Sequence, residues 1–248
     1  MDLNIINSIL FHPRKSYQDM DGNDMLIEVE DSVHIGIRFH LNCKSAPTLL
    51  FFHGNGEISI EYDDIAWEYN QKNINFIIAD YRGYGFSTGV PDAENTLSDS
   101  HIVLDFVLKH LKEKNYPGSL ILMGRSLGSV SVLELAKRYP QDFSGLIIES
   151  GFADEDPLFK LIGTTAEQAG FNKKDGFLNG EKIKQYAGPL LIIHAAQDHI
   201  IPFSQGELLY TLCPSKNKKL LPIPNANHNN ILGINPQKYF NEIEIFIK

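Results

Sequence analysis

The chain has little cysteine, no excess of positive charge and no long apolar run. Each shortage removes a class of protein. The two cysteines, Cys43 and Cys213, stand far apart. A disulfide framework or a thiolate metal site needs clustered or regularly spaced cysteines. Both therefore read as reduced packing thiols, and the expected compartment is cytoplasmic. Asp and Glu outnumber Lys and Arg by 31 to 22, for a formal net charge of −9. Phosphate binding needs a basic face, so nucleic acid is excluded as the main partner, and an anionic lipid surface gains no attraction. No run of apolar residues approaches the roughly 20 needed to span a membrane. The N-terminus, Met1–Phe11, lacks the basic start and apolar core of a signal peptide. It is expected to pack as a short segment, with membrane contact at most peripheral. Repeats, linkers and low-complexity stretches are missing too, so a single domain over 1–248 is expected. The sequence leaves the oligomeric state open.

What is present is an alternation of short apolar runs with helical patterns. Leu26–Glu30 and Val33–Phe39 alternate with period two around Asp31-Ser32 and predict an antiparallel hairpin. Buried strands are predicted at Thr48–Phe52, Phe76–Ala79, Leu120–Met123, Leu146–Ile148, Leu190–Ile193 and Lys219–Ile223. Amphipathic helices are predicted around Tyr62–Tyr69, Leu104–Leu111 and Phe203–Leu212, and a last one after Asn235-Pro236, a cap followed by proline at the first helical position. The fold class is therefore α/β: a mostly parallel central sheet with an N-terminal antiparallel hairpin and helices on both faces. Residues 151–179 break the alternation and carry one short helical pattern, Pro157–Ala169. They read as a small cap over the sheet, the alternative being a crossover helix with long loops.

The most informative segment is Gly124-Arg125-Ser126-Leu127-Gly128. It lies between a predicted strand and the helical pattern Ser129–Tyr139. Gly-x-Ser-x-Gly at a strand-to-helix turn is a nucleophile elbow, in which glycines make room for a tight turn and the serine hydroxyl projects at the helix N-terminus. A serine nucleophile needs a base, and the base needs an acid to orient it. With chain order Ser, acid, His, Asp198 follows the Leu190–Ile193 strand, and His228 is the one histidine beyond the last strand. Glu149, Asp154 and Asp156, after the preceding strand, are rival acids. An oxyanion needs preorganised N–H donors; the backbone of Leu127 and of Asn55, in His53-Gly54-Asn55-Gly56-Glu57, are the candidates, with Gly54 in reserve. His53 is expected to brace that loop. In Asp80-Tyr81-Arg82-Gly83-Tyr84-Gly85, Asp80 and Arg82 are expected to pair and fix a second loop. Gly54, Glu57, Tyr84, Phe152 and His199 are the candidate pocket residues.

Taken together, His-Gly-Asn at 53–55, Asp-Tyr-Arg-Gly-Tyr-Gly at 80–85 and Gly-Arg-Ser-Leu-Gly at 124–128 resemble the α/β-hydrolase superfamily over about Leu26–Lys248. The likeness is to compact members, depalmitoylase-like thioesterases and lysophospholipase-like esterases. It implies a triad of Ser126, Asp198 and His228 with oxyanion donors Asn55 and Leu127, and it implies no cofactor or metal. Unlike in that subgroup, neither an acylated N-terminal anchor nor a large lid is expected here. Glu57, where relatives often carry a small residue, is expected to narrow the mouth of the site or to repel anionic substrates. The leading reading is a serine hydrolase that cleaves carboxylic ester or thioester bonds of a small-molecule or acyl substrate through an acyl-enzyme intermediate. A serine peptidase or amidase, and a non-catalytic ligand-binding member of the fold, remain alternatives.

Overall fold

Strands that are apolar at every position must be covered on both faces, and that condition organises the molecule. The computed structural model describes residues 10–172, 174 and 176–248. Among these, eight strands form one sheet: β1 Asp24–Glu30, β2 Val33–His40, β3 Thr48–Phe52, β4 Asn75–Ala79, β5 Leu120–Arg125, β6 Gly145–Glu149, β7 Leu190–Ala195 and β8 Lys218–Ile223. The α-helices are α1 Asp63–Gln71, α2 Ala93–Glu113, α3 Gly128–Arg138, α4 Asp156–Leu161, α5 Asn179–Ile183, α6 Phe203–Leu212, α7 Ile231–Ile234 and α8 Pro236–Ile247, and a short 3-10 helix covers Ser59–Tyr62. The spatial order is β1-β2-β4-β3-β5-β6-β7-β8. The β1–β2 and β2–β4 pairs are antiparallel and the rest parallel. The mostly parallel sheet with an N-terminal hairpin is as the sequence predicts.

Successive side chains on a strand point to opposite faces, so each apolar run feeds two cores. Leu50, Phe52, Leu122, Ile148 and Ile192 join one cluster with Val103, Leu104 and Val107 of α2 and Val130 and Leu133 of α3. Their neighbours Leu49, Phe51, Ile121, Met123, Ile147 and Ile193 join the other, with Ala66 and Tyr69 of α1 and Tyr239, Phe240 and Ile243 of α8. Burying each such side chain contributes roughly 1.5 to 3 kcal/mol. The two sheet edges carry charge instead: Glu28 and Glu30 on β1, Lys218 and Lys219 on β8. Pro222 sits on β8, an edge strand, where its missing N–H costs no ladder bond to a further strand.

The predicted helix at Pro157–Ala169 is shorter in the structure and ends at Leu161. Gly163 adopts φ 74°. Its N–H donates to the Lys160 carbonyl at 3.0 Å, and the Thr164 N–H reaches back to the Phe159 carbonyl at 3.1 Å. This is a helix stop that a glycine with left-handed φ closes, and it outweighs the apolar period that continues beyond it. Of the N-terminal segment expected to pack on the domain, Leu10 and Phe11 are buried in the first core, and Met1–Ile9 lie outside the described residues. No helix among the described residues is long and apolar enough to cross a membrane.

Parallel strands share one direction, so the carboxyl ends of β3 to β8 line one edge of the sheet. Glu149 closes β6, and His53, Asp80, Ser126 and the loops holding Asp198 and His228 follow the ends of the other strands. Open α/β sheets place ligands along this edge.

Candidate active site

β5 ends at Arg125 and α3 begins at Gly128, which leaves two residues to turn the chain. Ser126 takes φ 51°, a conformation that costs a non-glycine residue roughly 1 to 3 kcal/mol. Its surroundings hold it there. The Ser126 N–H donates to the Glu149 carbonyl at 2.8 Å, and the Ser126 carbonyl accepts from the Ser129 N–H at 3.0 Å and the Ser129 hydroxyl at 2.7 Å. Space dictates the flanking glycines. A Cβ on Gly124 would stand 2.3 Å from the Gly128 carbonyl oxygen, and one on Gly128 would stand 1.9 Å from that of Phe52.

His228, in the loop after β8, brings Nε2 to 3.1 Å from Ser126 Oγ and Nδ1 to 2.8 Å from Asp198 Oδ2. An ionised carboxylate only accepts, so Nδ1 carries the proton and Nε2 of the neutral ring is free to accept from the serine. Asp198 Oδ1 accepts the N–H groups of Ile200 at 3.0 Å and Ile201 at 2.8 Å. Burial opposes the charge on Asp198. The contact with His228 and the two N–H donors more than offset it, and its pKa lies below the ordinary value. Ser126, His228 and Asp198 are 8%, 5% and 8% exposed. His194 is packed beside them: its Nε2 donates to the Ile201 carbonyl at 2.8 Å, and burial lowers its pKa.

The loop after β3 is braced from two sides. His53 is fully buried, with Nδ1 2.8 Å from the Gly54 carbonyl and Nε2 3.2 Å from Asp80 Oδ1. Asn55 Oδ1 accepts from the His12 N–H at 2.8 Å and from the Tyr84 hydroxyl at 2.6 Å. The chain around His12 is tied in turn to the Gly85 backbone, whose N–H donates to the Arg14 carbonyl at 2.8 Å. The Gly54 N–H is occupied, donating to Glu57 Oε2 at 2.7 Å. The N–H groups of Asn55 and Leu127 have no protein acceptor among the described residues.

Two sequence expectations need correction. Asp80 and Arg82 do not pair. Asp80 accepts the N–H and hydroxyl of Ser59 at 2.8 and 2.7 Å, whereas Arg82 grips Asp99 with two bonds of 2.8 Å and Glu30 at 2.6 Å. The chain turns at Arg82-Gly83, so side chains two apart no longer share a face. Glu57, expected to narrow the mouth or repel anions, turns inward. Its carboxylate pairs with Arg125 and accepts from the Gly54 N–H and, at 2.5 Å, the Tyr62 hydroxyl. The cause is the largely buried guanidinium of Arg125, which needs a counter-charge.

Arg125 is the residue of this cluster that the sequence does not single out. Its Nη1 pairs with Glu57, its Nε donates to Glu149 Oε1 at 3.1 Å, and its Nη2 donates to the His228 carbonyl at 2.8 Å. The second oxygen of Glu149 accepts from the Tyr239 hydroxyl. For Glu57, burial opposes ionisation but Arg125 and its other donors prevail, and the pKa is lowered. For Glu149 burial prevails over Arg125 and Tyr239, and the pKa is raised. A signal for this network was available: an arginine at the end of an apolar strand must find buried acceptors.

The remaining candidates are scattered. Tyr84 is buried behind Asn55, and His199 is exposed. Phe152 is buried in the α2–α3 core, its ring 6.2 Å from that of Phe177. Of the rival acids, Glu149 is taken by Arg125 and Tyr239, and Asp154 Oδ1 accepts from the Asp156 N–H at 3.1 Å and the Gln205 amide at 3.3 Å.

Comparison with known proteins gives the arrangement a lineage. The uncharacterized protein YfhR of Salmonella typhimurium is 30% identical over 242 residues, spanning 90% of this chain and 80% of the relative. YfhR of Escherichia coli K12 is 30% identical over 188 residues, 73% of this chain, and the chain spans only 62% of that protein's length. Among solved structures, the esterase Pf2001 of Pyrococcus furiosus superposes with a TM-score of 0.75 at 16% identity, over 94% of this chain and 97% of that one. Est1E of Butyrivibrio proteoclasticus, solved with ferulic acid bound, gives 0.70 at 20% identity over 89% and 99%. These structures share the α/β-hydrolase fold. The family model described as serine aminopeptidase, S33, matches residues 44–172, just over half of the chain, and the chain belongs to that hydrolase family.

Proposed function

We propose that the chain is a serine hydrolase that cleaves small carboxylic esters or thioesters through an acyl-enzyme. The observation that carries this reading is the continuous line Ser126 Oγ, His228, Asp198, with contacts of 3.1 and 2.8 Å. Ser126 Oγ bonds to the substrate carbonyl carbon while its proton passes to His228 Nε2. Asp198 holds the ring and balances the imidazolium charge. The carbonyl oxygen, now negative, takes the open N–H groups of Asn55 and Leu127. The intermediate collapses, and the leaving alcohol or thiol departs with the proton from His228. Water then attacks the acyl-enzyme by the same route, releasing the acid and restoring Ser126. The steps so written draw on no metal or cofactor.

Fold neighbours named as esterases and as a monoglyceride lipase of Saccharomyces cerevisiae favour an ester over an amide. The family description favours an aminopeptidase. Such an enzyme needs an anion for the substrate's ammonium group, and Glu57, the carboxylate of the oxyanion loop, is already held by Arg125. Residues 151–179, which follow β6 at the same sheet edge, are read as a small cap bearing on substrate choice. The two free cysteines fit a cytoplasmic setting.

The test is labelling by a fluorophosphonate probe, followed by turnover of p-nitrophenyl esters of graded chain length, an acyl thioester and aminoacyl p-nitroanilides. Labelling at Ser126 with ester or thioester turnover supports the reading. Turnover confined to the anilides moves it to the peptidase class, and a folded protein that neither labels nor turns over is a non-catalytic member.

A further inference from the structure

The three nitrogens of the Arg125 guanidinium each serve a different part of the site. Nε reaches Glu149 at the end of β6, whose backbone carbonyl fixes the Ser126 N–H. Nη1 reaches Glu57, whose other oxygen holds the Gly54 N–H beside Asn55. Nη2 reaches the backbone carbonyl of His228. Three segments that are remote in sequence thus meet on one planar group attached directly before Ser126. We propose that Arg125 is a positioning residue that sets the His228 loop and the Gly54–Asn55 loop in register with the Ser126 hydroxyl.

Chemistry favours this over simple charge neutralisation. Were a counter-charge for Glu57 and Glu149 all that is required, a lysine would serve. A lysine offers one nitrogen on a flexible stem, whereas the guanidinium fork is rigid and planar. The His228 carbonyl is uncharged and needs no neutralising, yet Nη2 reaches it at 2.8 Å. That contact sits on the backbone of the residue whose ring must stay within reach of Ser126 Oγ. A displacement of about 1 Å at such a point can cost on the order of 10²-fold in rate.

The catalytic consequence rests on the function proposed above, so the test pairs a readout of activity with one that is independent of it. Arg125→Lys and Glu57→Gln are compared with the wild-type protein. Hydrogen exchange is followed in peptides spanning 53–57 and 224–230, and kcat and KM are measured on the best ester. Arg125→Lys is expected to speed exchange in both peptides and to lower kcat on the order of 10²-fold, with KM within about threefold. Glu57→Gln keeps an oxygen for the Gly54 N–H but loses the ion pair. It is expected to loosen 53–57 while leaving 224–230 at the wild-type rate, and this variant decides the matter should Arg125→Lys fail to fold. Unchanged exchange in both loops, or a loss confined to KM, overturns the proposal. If the wild-type protein neither labels nor turns over esters, the functional reading fails, and the exchange pattern still decides whether Arg125 holds the two loops.

Discussion

Asp198 gives only one of its oxygens to His228: Oδ2 stands 2.8 Å from Nδ1, while Oδ1 is spent on the N–H groups of Ile200 and Ile201. The division fixes what an amide would do there. In Asp198→Asn the amide oxygen keeps the two N–H donors, and its NH2 group faces His228 Nδ1. That contact forces the ring proton onto Nε2, where it can no longer accept from Ser126. Activity is expected to fall on the order of 10³- to 10⁴-fold with the fold intact. Asp154→Asn, which touches Gln205 and the Asp156 N–H instead, is expected to stay within about threefold. Steady-state kinetics of the two variants check the ranking, and the reverse order would move the acid to the strand before.

Ser126 separates activity from stability. Both Ser126→Ala and Ser126→Gly are expected to abolish turnover, by roughly 10⁴-fold or more. Alanine remains strained at φ 51°, while glycine adopts that angle freely. Glycine also loses more chain entropy on folding, by roughly 0.4 to 1 kcal/mol. Left-handed strain of roughly 1 to 2 kcal/mol outweighs that, so Ser126→Gly is expected to be the more stable of the two by up to about 1.6 kcal/mol. Urea denaturation of the pair decides it; equal midpoints would show that the turn is not strained.

Tyr84→Phe removes one of the two donors that hold Asn55 Oδ1, and with it the hydroxyl that shares the His12 N–H at 2.8 Å, leaving that N–H only its bond to Asn55 Oδ1. The two lost bonds are expected to cost about 1 to 2 kcal/mol of stability. If the loop guides the oxyanion, kcat falls several-fold while KM stays. A change in KM alone would instead assign Tyr84 to substrate binding.

Much of the fold was legible because its signals are local. The run Leu190–Ile193 is apolar throughout, and the structure makes it a strand buried on both faces. The pairing of Asn235 with Pro236 marks a helix start, and the Asn235 side chain accepts from the Lys238 N–H. At the site, the order Ser126, Asp198, His228 brought forward three residues that the fold places in contact. The contacts that were not legible are long-range choices among equivalent partners. Arg82 had acidic residues on several sides, and the turn at Gly83 decided for Asp99 over Asp80. Glu57 looked like a mouth residue because the sequence does not show that Arg125, 68 positions on, lies beneath it. A helix stop depends on one φ value, so the apolar period past Leu161 hid the turn at Gly163.

Glu149 gives a prediction whose sign is set by burial. Its pKa is raised in the folded chain, with burial as the first cause, so the folded state holds its proton more tightly than the unfolded state, where a glutamate titrates near 4.3. Such a group contributes stability that is fully present below the unfolded value and is lost as pH rises through the folded one. Glu149→Gln cannot ionise, and its amide oxygen can still accept from Arg125 Nε, whose charge stays matched by Glu57. The variant is therefore expected to lose less stability than the wild type as pH is raised from about 4.3 toward neutrality, and to gain relative to it over that interval. Urea denaturation at pH 4.5 and pH 7.5 measures the difference. A wild type that instead gains more stability than Glu149→Gln over that interval would mean that Arg125 outweighs burial and that Glu149 is held ionised as a structural counter-charge.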